Sequence, residues 1–366
     1  MAHPRDPLRE THSSVDAAAR GWATYERDEL DTVLARFDIG RIDRAQEYRR
    51  GSRSAPKLKI WSSLGEFLLK RRSLERHPEL RIRFAHQLQA TLARHGYPIA
   101  GLMPDRRTGE TLVIIDGHAY ELFHFVTGDR FDKTARATIR AAEMLARLHR
   151  HSRDIDASAL PPASFHASPA ARTALDRLER SILAAEPGTD PERIARLVQE
   201  LREIYGRAVE EIRDLGFAAL RSGVVHGDWH PGNVIFTPRS DYRSIAAVID
   251  FDSARNEPWV TEVANGMLQF AILSDAKIPP LEWAAGFDPK RLQAFLHGYL
   301  GAADRPLTLE ERSMIPWLMI EAMVAESAIP VANQGTFADL QGSSFMDLVS
   351  RKCEWVRQHR KSISAL

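Results

Sequence analysis

Three oxygen-bearing side chains lie within a short span of the second half of the sequence. Asp228 and Asn233 belong to the loop in VVHGDWHPGNVIF, and Asp250 ends the apolar stretch AAVID. One carboxylate can orient a hydroxyl group and accept its proton, while an amide oxygen and a second carboxylate are hard ligands that Mg²⁺ takes together with substrate phosphates. This combination predicts phosphoryl transfer from a nucleotide to a hydroxyl group.

The same loop allows two other interpretations. Glycine, proline and asparagine could form only a turn between two strands, but a turn does not explain Asp228, His226 and His230. The His-x-Asp-x-His pattern could instead supply zinc ligands in a metallohydrolase. Zinc would need further histidines from other loops, and His149 and His151 lie well upstream in a helical pattern. Phosphoryl transfer is therefore favoured.

Length and composition limit the class of protein. A chain of 366 residues favours two lobes over a single core. The formal net charge of +1 gives no overall field for nucleic acid or an anionic membrane. Cys353 is the single cysteine, so neither a disulfide framework nor a multi-cysteine zinc site can form within one chain. Without an apolar signal sequence, a cytoplasmic protein with no obligate protein partner is expected.

Hydrophobic periodicity predicts an α+β protein. Between Arg41 and Arg71, alternating residues and Gly/Ser turns predict a three-stranded antiparallel meander. Large apolar residues at intervals of four then predict a helix: Leu80, Phe84, Leu88 and Leu92. TLVIID and AYELFHFV predict a hairpin that turns at Asp116 and Gly117. The remaining chain is mostly helical in pattern, with only two short strands, at GNVIF and AAVIDF.

The sequence HGDWHPGN followed by VIDFD resembles the catalytic loop and metal-binding segment of the aminoglycoside phosphotransferase and homoserine kinase-like family. That family is a small-molecule branch of the protein-kinase fold, and the resemblance covers most of the chain. It implies a bilobal fold that uses ATP and Mg²⁺. It also implies that Asp228 is the catalytic base, that Asn233 and Asp250 bind the metal, and that the two loop histidines shape the loop. Asp252 adds a carboxylate without an assigned role.

The resemblance further implies a nucleotide phosphate site in the N-lobe. Lys70, on the third strand of the meander, stands where kinase-like folds have the lysine that binds the α- and β-phosphates. RRGSRSAP stands where relatives place the phosphate-covering loop, so Gly51, Ser52 and Ser54 are expected to donate to phosphate. The arginines of this turn form a short run without aromatic residues for base stacking, so nucleic acid is not an expected partner.

Two positions depart from the family's pattern. The acid that should pair with Lys70 falls near residue 87, where this chain has Gln87. Glu75 and Glu79 lie earlier, on or before the same predicted helix. The partner of Lys70 is thus open between the glutamine and these two acids. Glu262 stands where relatives usually have aspartate, and it is expected to support the catalytic loop.

The segment YELFHFVTG resembles the family's connection between the lobes. By this resemblance, His124 and Val126 present backbone groups to adenine and Phe123 lines the back of its pocket, although an ordinary strand end would have a similar sequence. The predicted division is a loose N-terminus at 1–20, an N-lobe at 21–123, a hinge at 124–128 and a helical C-lobe at 129–366.

The acceptor is expected to bind the helical C-lobe. Acidic residues outnumber lysine and arginine between residues 255 and 342, which suits an amine-bearing acceptor, although solvated helix surfaces have the same composition. Glu321 and Glu326 interrupt IPWLMIEAMVAESAIPVA, a stretch that predicts a buried helix rather than a membrane span. Each buried carboxylate needs a partner, which is either a substrate ammonium or a residue such as Arg312 or Arg351.

The predicted function is ATP-dependent transfer of the γ-phosphate to a hydroxyl of an aminoglycoside, amino alcohol, homoserine or sugar-like acceptor. The residues expected at the acceptor are Asp228, His230, Glu321 and Glu326. The alternative is a catalytically weak or silent kinase-fold protein that binds nucleotide. The complete set of Asp228, Asn233 and Asp250 argues against silence, and the lack of an obvious acid for Lys70 argues for it.

Overall fold

The computed structural model describes residues 23–49, 54–158, 160, 164–238, 244–273, 277–279 and 282–366. The chain forms two compact units. The first comprises Met1–Asp129, Ile235–Arg239 and Ala246–Asp252, and the second comprises Arg130–Val234, Ser240–Ile245 and Ser253–Leu366. The first unit therefore includes two segments that the sequence analysis assigns to the C-lobe, and one of them carries Asp250.

The described part of the first unit contains a five-stranded antiparallel sheet in the order β1-β2-β3-β5-β4. The strands are β1 Ile42–Glu47, β2 Lys57–Ser62, β3 Gly65–Ser73, β4 Val113–Ile115 and β5 His118–His124. Helix α1 (Arg27–Leu34) precedes the sheet, and helix α2 (Glu79–Arg94) follows β3. The five strands and α2 correspond to the predicted meander, hairpin and helix. Helix α1 was not predicted, so the first unit has a second helix where the sequence indicated one.

Strand β3 has two different faces because successive side chains of a strand point in opposite directions. Phe67 and Leu69 are buried in a core with Leu30 and Val33 of α1. The residues between and beyond them therefore face the opposite side. Lys70 is one of these residues, so the apolar pattern of β3 determines the face on which its ammonium lies.

Local backbone conformation fixes the β4–β5 hairpin, and burial of an apolar face defines α2. Asp116 and Gly117 have φ values of 48° and 74°, which are the left-handed conformations of a two-residue type I′ turn. In α2, the last three members of the predicted apolar series are buried. Leu80, the first member, lies in the first turn of the helix and is 49% exposed.

The second unit is mainly helical. Its helices are α3 Ala135–His151, α4 Pro169–Ala185, α5 Pro191–Asp214, α6 Trp259–Ala271, α7 Pro289–Ala302, α8 Leu309–Gln334 and α9 Gly342–Ser364. Five of them begin after a side chain that accepts a backbone N–H from the first turn, which offsets unpaired amides there. These capping residues are Thr134, Ser168, Asp190, Asp288 and Thr308.

Helix α8 is apolar along most of its length. By length and composition alone it could cross a membrane, but 83% of its most apolar window is buried inside the protein. A capping box of Thr308 and Glu311 begins the helix, and Gly335, with a φ of 74°, ends it. Its carboxylates Glu321 and Glu326 are therefore set into a core helix.

Short strands surround the loop that carries Asp228. Strand β6 (Ser222–Val225) pairs with β9 (Arg255–Pro258), and β7 (Val234–Phe236) pairs with β8 (Ile245–Val248). A two-stranded hairpin, β10 Thr336–Phe337 and β11 Leu340–Gln341, precedes α9. The sequence predicted only β7 and β8, because both lie in apolar stretches, GNVIF and AAVIDF. The other four short strands lack such a stretch and are too short to show alternation.

Candidate active site

A cavity in the first unit has an apolar and a charged lining. Apolar lining residues are Leu68, Ala100, Phe123, Val126, Ile235 and Ile249. Polar and charged lining residues are Lys57, Lys70, Arg72, Gln89, Asp250 and Asp252. Apolar walls with a few convergent polar groups are typical of small-molecule sites. The apolar part suits a flat heterocycle, and the three cations suit phosphate groups.

Lys70 donates to two carboxylates in this cavity. Its Nζ lies 2.9 Å from Oδ1 of Asp250 and 2.7 Å from Oδ2 of Asp252. Burial opposes the charged ammonium, but Asp252 and Asp250 outweigh that effect and raise the pKa of Lys70 above its ordinary value. Burial, together with the charge of Lys70, lowers the pKa of Lys57, which lies opposite on β2. Lys70 therefore keeps a fixed positive charge in the cavity.

The partners of Lys70 do not come from α2, which corrects the register expected from the sequence. Gln87 is exposed, Glu75 is exposed, and Glu79 pairs with an arginine of the same helix. Helix α2 instead presents Gln89 to the cavity. Two positions along a helix correspond to a rotation of about 200°, so Gln87 and Gln89 lie on nearly opposite faces.

A second network of buried charges extends from the same strand. Arg72 and Glu121 are 4% and 1% exposed, and Nε of Arg72 donates to Glu121. The two terminal nitrogens of Arg72 both contact Asp252. Glu121 also lies 2.8 Å from Nε2 of His86 on α2, whose Nδ1 is 2.8 Å from the hydroxyl of Thr111. Of these residues, only Asp252 was predicted from the sequence to lie near the site.

The segment expected to bind adenine lies beside the cavity. Phe123, His124 and Val126 all line it. The backbone N–H of His124 donates to the carbonyl of Gly101 at 2.8 Å. Since this amide is engaged, the carbonyl oxygen is the backbone group that His124 can offer to a base.

The expected phosphate-covering turn is only partly visible. Gly51 and Ser52 lie outside the described residues. Ser54 is described and exposed, and it is not among the residues that line the cavity. The contribution of this turn to phosphate binding stays a prediction.

Asp250 follows β8 in a left-handed conformation, with a φ of 67°. Aspartate and asparagine adopt this conformation more readily than other residues with a side chain. The resulting turn places Asp250 and Asp252, two positions apart, on the same ammonium group of Lys70. Burial favours the neutral form of Asp252, but Lys70 and Arg72 hold its pKa well below the ordinary value.

In the second unit, the loop after β6 orients the carboxylate of Asp228. Nδ2 of Asn233 donates to Oδ2 and to the backbone oxygen of Asp228, both at 3.0 Å. Nε2 of His230 lies 3.4 Å from the same Oδ2. Burial raises the pKa of Asp228, but His230 and its neighbours outweigh burial, so the pKa is lower than usual. Asp228 is thus a fixed carboxylate that is ionised at neutral pH.

The backbone of this loop is anchored on a buried acid. Glu262 on α6 accepts the N–H groups of His226 at 3.0 Å and Gly227 at 2.6 Å. It also lies 2.9 Å from Nε2 of His149. Burial disfavours its charge, but His149, His226 and these amides lower the pKa of Glu262. The loop therefore depends on an acid that remains ionised in the core.

Gly227 is required for this arrangement. Its φ is 82°, and a Cβ at this position would lie 2.1 Å from the carbonyl oxygen of Ser253. The carbonyl of Gly227 accepts from Nη1 of Arg255 at 3.1 Å, and Arg255 is held by Glu257 at 2.7 Å. Asp228 therefore follows a residue whose backbone is fixed from both sides.

The two acids of α8 have different surroundings. Glu321 is fully buried and lies 3.1 Å from Nδ1 of His166, so its partner is this histidine rather than Arg312 or Arg351. Burial raises the pKa of Glu321 although His166 opposes that effect. Glu321 thus has a protein partner, and its contact with the acceptor stays a prediction.

Glu326 belongs to the surroundings of Asp228. It accepts from Nε2 of Gln269 at 2.7 Å, and Asn265 also hydrogen-bonds to it. Burial and the negative charge of Asp228 raise the pKa of Glu326 to about 7. Asn265 is 5% exposed, and its Oδ1 lacks a hydrogen-bond partner among the described residues. A carboxyl group and an unpaired carbonyl oxygen thus lie near the charge of Asp228.

Asn233 in the second unit and Asp250 in the first unit each carry oxygen atoms, which suit a hard cation better than zinc. Among the described residues, no group of three or more His, Cys, Asp or Glu is placed to hold a metal ion. The zinc interpretation of the loop therefore has no ligand set. In Asn233 the amide nitrogen is engaged by Asp228, which leaves Oδ1 as the atom that could bind Mg²⁺, and Asp250 offers a carboxylate.

Comparison with known proteins agrees with this chemistry. The model of the phosphotransferase enzyme family (APH) matches residues 45–309. The homoserine kinase of Caulobacter sp. (strain K31) is 27% identical over 292 residues, which cover 80% of this chain and 81% of the relative. The microcompartment-associated aminopropanol kinase has a similar structure, with a TM-score of 0.67 and 16% identity over 93% of this chain and 99% of that one.

A second similar structure is the amicoumacin kinase hAmiN in complex with AMP-PNP, Ca²⁺ and Ami, with a TM-score of 0.62 and 14% identity. It covers 97% of this chain and 96% of that one. The fold and the loop chemistry thus define a small-molecule kinase of the protein-kinase-like fold. The chain belongs to the phosphotransferase enzyme family, and its reaction transfers phosphate to a hydroxyl group of a small molecule.

Proposed function

We propose that this protein transfers the γ-phosphate of ATP to the hydroxyl of a small amine-bearing alcohol, with Mg²⁺ as the metal. The observation that carries this proposal is the carboxylate of Asp228, which is ionised and oriented by Asn233 and His230. A general base must be ionised and fixed before it can accept a proton from a hydroxyl group. Asp228 meets both requirements.

In this proposal the first unit binds the nucleotide. The adenine ring lies on the apolar lining near Phe123, and its amino group and ring nitrogen need one acceptor and one donor from the protein. The carbonyl of His124 accepts from the amino group, and the N–H of Val126 donates to the ring nitrogen. Lys70 neutralises phosphate charge because it stays protonated in the cavity.

The metal would be held by Oδ1 of Asn233 and the carboxylate of Asp250. Bound there, Mg²⁺ would neutralise charge on the nucleotide phosphates. Nδ2 of Asn233 donates to Asp228, so the same side chain orients the base and leaves its oxygen for the cation. The AMP-PNP and Ca²⁺ found with the amicoumacin kinase support a nucleotide with a divalent cation as the donor in this fold.

The acceptor is proposed to bind with its hydroxyl at Asp228 and its ammonium at Glu326. Glu326 lies close enough to Asp228 to respond to its charge, and within the described part of the chain the carbonyl oxygen of Asn265 beside it has no partner. An ammonium would neutralise the charge of Glu326 and give the carbonyl oxygen of Asn265 a donor, whereas a neutral acceptor lacks that charge. Homoserine and aminopropanol, the acceptors named for two similar proteins, both carry an amine and a hydroxyl.

A phosphorylation panel tests this function. Purified protein, ATP and MgCl₂ are incubated with amino alcohols and with matched neutral alcohols of the same length, and products are identified by mass spectrometry. We expect phosphate transfer to the hydroxyl of an amino alcohol, with little transfer to its neutral counterpart. Preferred transfer to neutral alcohols would contradict the amine assignment.

The non-catalytic alternative makes the opposite prediction for the same experiment. A silent kinase-fold protein would bind Mg·ATP without product from any acceptor. Asp228→Asn is the matched control, because the amide keeps the hydrogen bond from Asn233 but removes the base. Equal turnover of the variant and the wild type would show that the base lies elsewhere.

A further inference from the structure

Arg72 lies on β3, two positions after Lys70, and lines the same cavity. Its guanidinium contacts two carboxylates from opposite sides. Nε donates to Glu121, and both terminal nitrogens contact Asp252. Burial opposes its charge, but Glu121 and Asp252 raise the pKa of Arg72 above its already high value. The side chain is thus a permanent cation held at three nitrogens.

The contact with Glu121 belongs to the interior of the first unit. Glu121 is 1% exposed on β5, where it stands opposite Lys70 in the strand register. It accepts from Nε2 of His86 at 2.8 Å, and Nδ1 of His86 is 2.8 Å from Thr111. Because Glu121 and His86 are buried, we expect Glu121 to hold Nε of Arg72 whether or not the cavity contains a ligand.

The contact with Asp252 is of a different kind. The side chain of Asp252 is 27% exposed, lines the cavity and also accepts from Lys70. It lies two positions after Asp250, the carboxylate proposed to bind the metal. A cation bound at these carboxylates would weaken their hold on the arginine. Loss of Asp252 would leave both terminal nitrogens of Arg72 directed into the cavity, while Glu121 still fixes Nε.

The shape of the freed group suits phosphate. A guanidinium offers two parallel N–H donors that match two oxygens of a carboxylate or of a phosphate. In Arg72 this pair of donors is occupied by the carboxylate of Asp252. Lys70, in contrast, is a point charge whose strongest contacts are the two aspartates themselves.

We propose that Arg72 is a second phosphate-binding residue of the nucleotide site, and that Glu121 and His86 position it. Asp252 occupies its two terminal nitrogens until nucleotide phosphate oxygens replace the carboxylate. This inference rests on the proposed function, because the nucleotide is the source of the phosphate. The acid that positions this second cation is Glu121 on β5, which holds Arg72, whereas Lys70 is held by Asp250 and Asp252.

The test is nucleotide binding to the full chain by isothermal titration calorimetry. Mg·ATP, ADP and adenosine are titrated into the wild type, Arg72→Lys and Arg71→Lys. Arg71 is the matched control, because it lies on the same strand, points to the opposite face and pairs with Glu29. Arg72→Lys keeps the charge but loses the paired donors, so we expect about tenfold weaker binding of Mg·ATP and ADP.

Adenosine lacks phosphate, so its binding distinguishes a lost phosphate contact from a general distortion of the nucleotide cavity. It should be unchanged in Arg72→Lys, and Arg71→Lys should bind all three ligands like the wild type. Unchanged Mg·ATP affinity in Arg72→Lys would overturn the inference, as would an equal loss for adenosine. Failure of the wild type to bind Mg·ATP would instead refute the proposed function.

Glu121→Gln tests the positioning role. It should weaken Mg·ATP binding in the wild-type background but add little to Arg72→Lys, because contacts within one network are not additive. Full additivity in the double variant would refute the positioning role. If Arg72→Lys does not fold, Arg72→Met/Glu121→Met removes the ion pair as a unit. Retained Mg·ATP affinity in that variant would equally overturn the inference.

Discussion

Replacing Glu326 by glutamine should change how the stability of this protein depends on pH. Burial and the charge of Asp228 raise the pKa of Glu326 from 4.5 to about 7, although His230, Asn265 and Gln269 act in the opposite direction. In the unfolded chain the carboxyl group returns to its ordinary pKa. Glutamine keeps the size and the hydrogen bond from Gln269 but cannot ionise.

Whether the stability rises or falls with pH depends on which state, folded or unfolded, binds the proton of Glu326. Between about pH 4.5 and 7 the folded protein keeps the proton of Glu326, while the unfolded chain releases it. The contribution of this group to stability is therefore complete below the unfolded pKa and is lost as the pH rises through the folded pKa. A difference of about 2.5 pKa units at 1.36 kcal/mol each corresponds to roughly 3 kcal/mol.

Urea unfolding followed by tryptophan fluorescence at about pH 5 and about pH 8 measures this effect. Relative to the wild type, Glu326→Gln should gain roughly 2.5 kcal/mol in free energy of unfolding between the two pH values, because at pH 5 the wild type has already lost part of the total. Glu200→Gln, which removes an exposed carboxylate of α5, serves as the control for charge removal at the surface. Parallel pH profiles of Glu326→Gln and wild type would refute the assignment of a raised pKa.

The kinetic counterpart concerns the acceptor. Glu326 must be ionised to bind an ammonium, so the KM of the wild type for an amine acceptor should fall as the pH rises through about 7. Glu326→Gln should raise that KM by about tenfold to a hundredfold at high pH and remove its pH dependence, because a charge-assisted hydrogen bond contributes about 1.5–3 kcal/mol. The KM for ATP should not change. An unaltered KM for the amine would show that Glu326 does not contact the acceptor.

Three further outcomes follow from the site. Asp228→Asn should keep nucleotide binding and lose on the order of 10²–10⁴ in kcat, the usual cost of a lost general base, as measured by the rate of product formation. Asp250→Asn, which tolerates the left-handed backbone, should make ATP affinity independent of Mg²⁺ in calorimetric titration, and a preserved metal dependence would place the ligand elsewhere. Gly227→Ala should lower both the melting temperature and kcat, because the new Cβ would meet Ser253. Gly216 has a φ of 86° and no atom within 4 Å of an added Cβ, so Gly216→Ala should lose only the roughly 1–2 kcal/mol that a left-handed backbone costs a residue with a side chain.

Features that depend on neighbouring residues could be predicted from the sequence. Asp228 and Asn233 share one loop, so their proximity follows from chain connectivity, and the structure places them in hydrogen-bond contact. The hairpin at Asp116 and Gly117 followed from local backbone preferences. Short strands such as β6 and β9 escaped prediction because their pairing joins segments about thirty residues apart and leaves no periodic trace.

The partners of buried charges were decided by the tertiary structure alone. Lys70 pairs with Asp250 and Asp252, some 180 positions away, and not with any acid of the following helix. No local pattern encodes such a pair, because burial only requires that some partner exist and does not specify from which element it comes.

The same reason separates the two acids of α8. The sequence determined that Glu321 and Glu326 lie in an apolar helix and that each needs a partner. Packing decided that Glu321 meets His166, and that Glu326 lies near Asp228. Five positions along a helix correspond to a rotation of about 500°, so the two side chains point in different directions and meet different neighbours. The sequence thus determined the chemistry available to the site, and the packing of distant elements determined which groups act together.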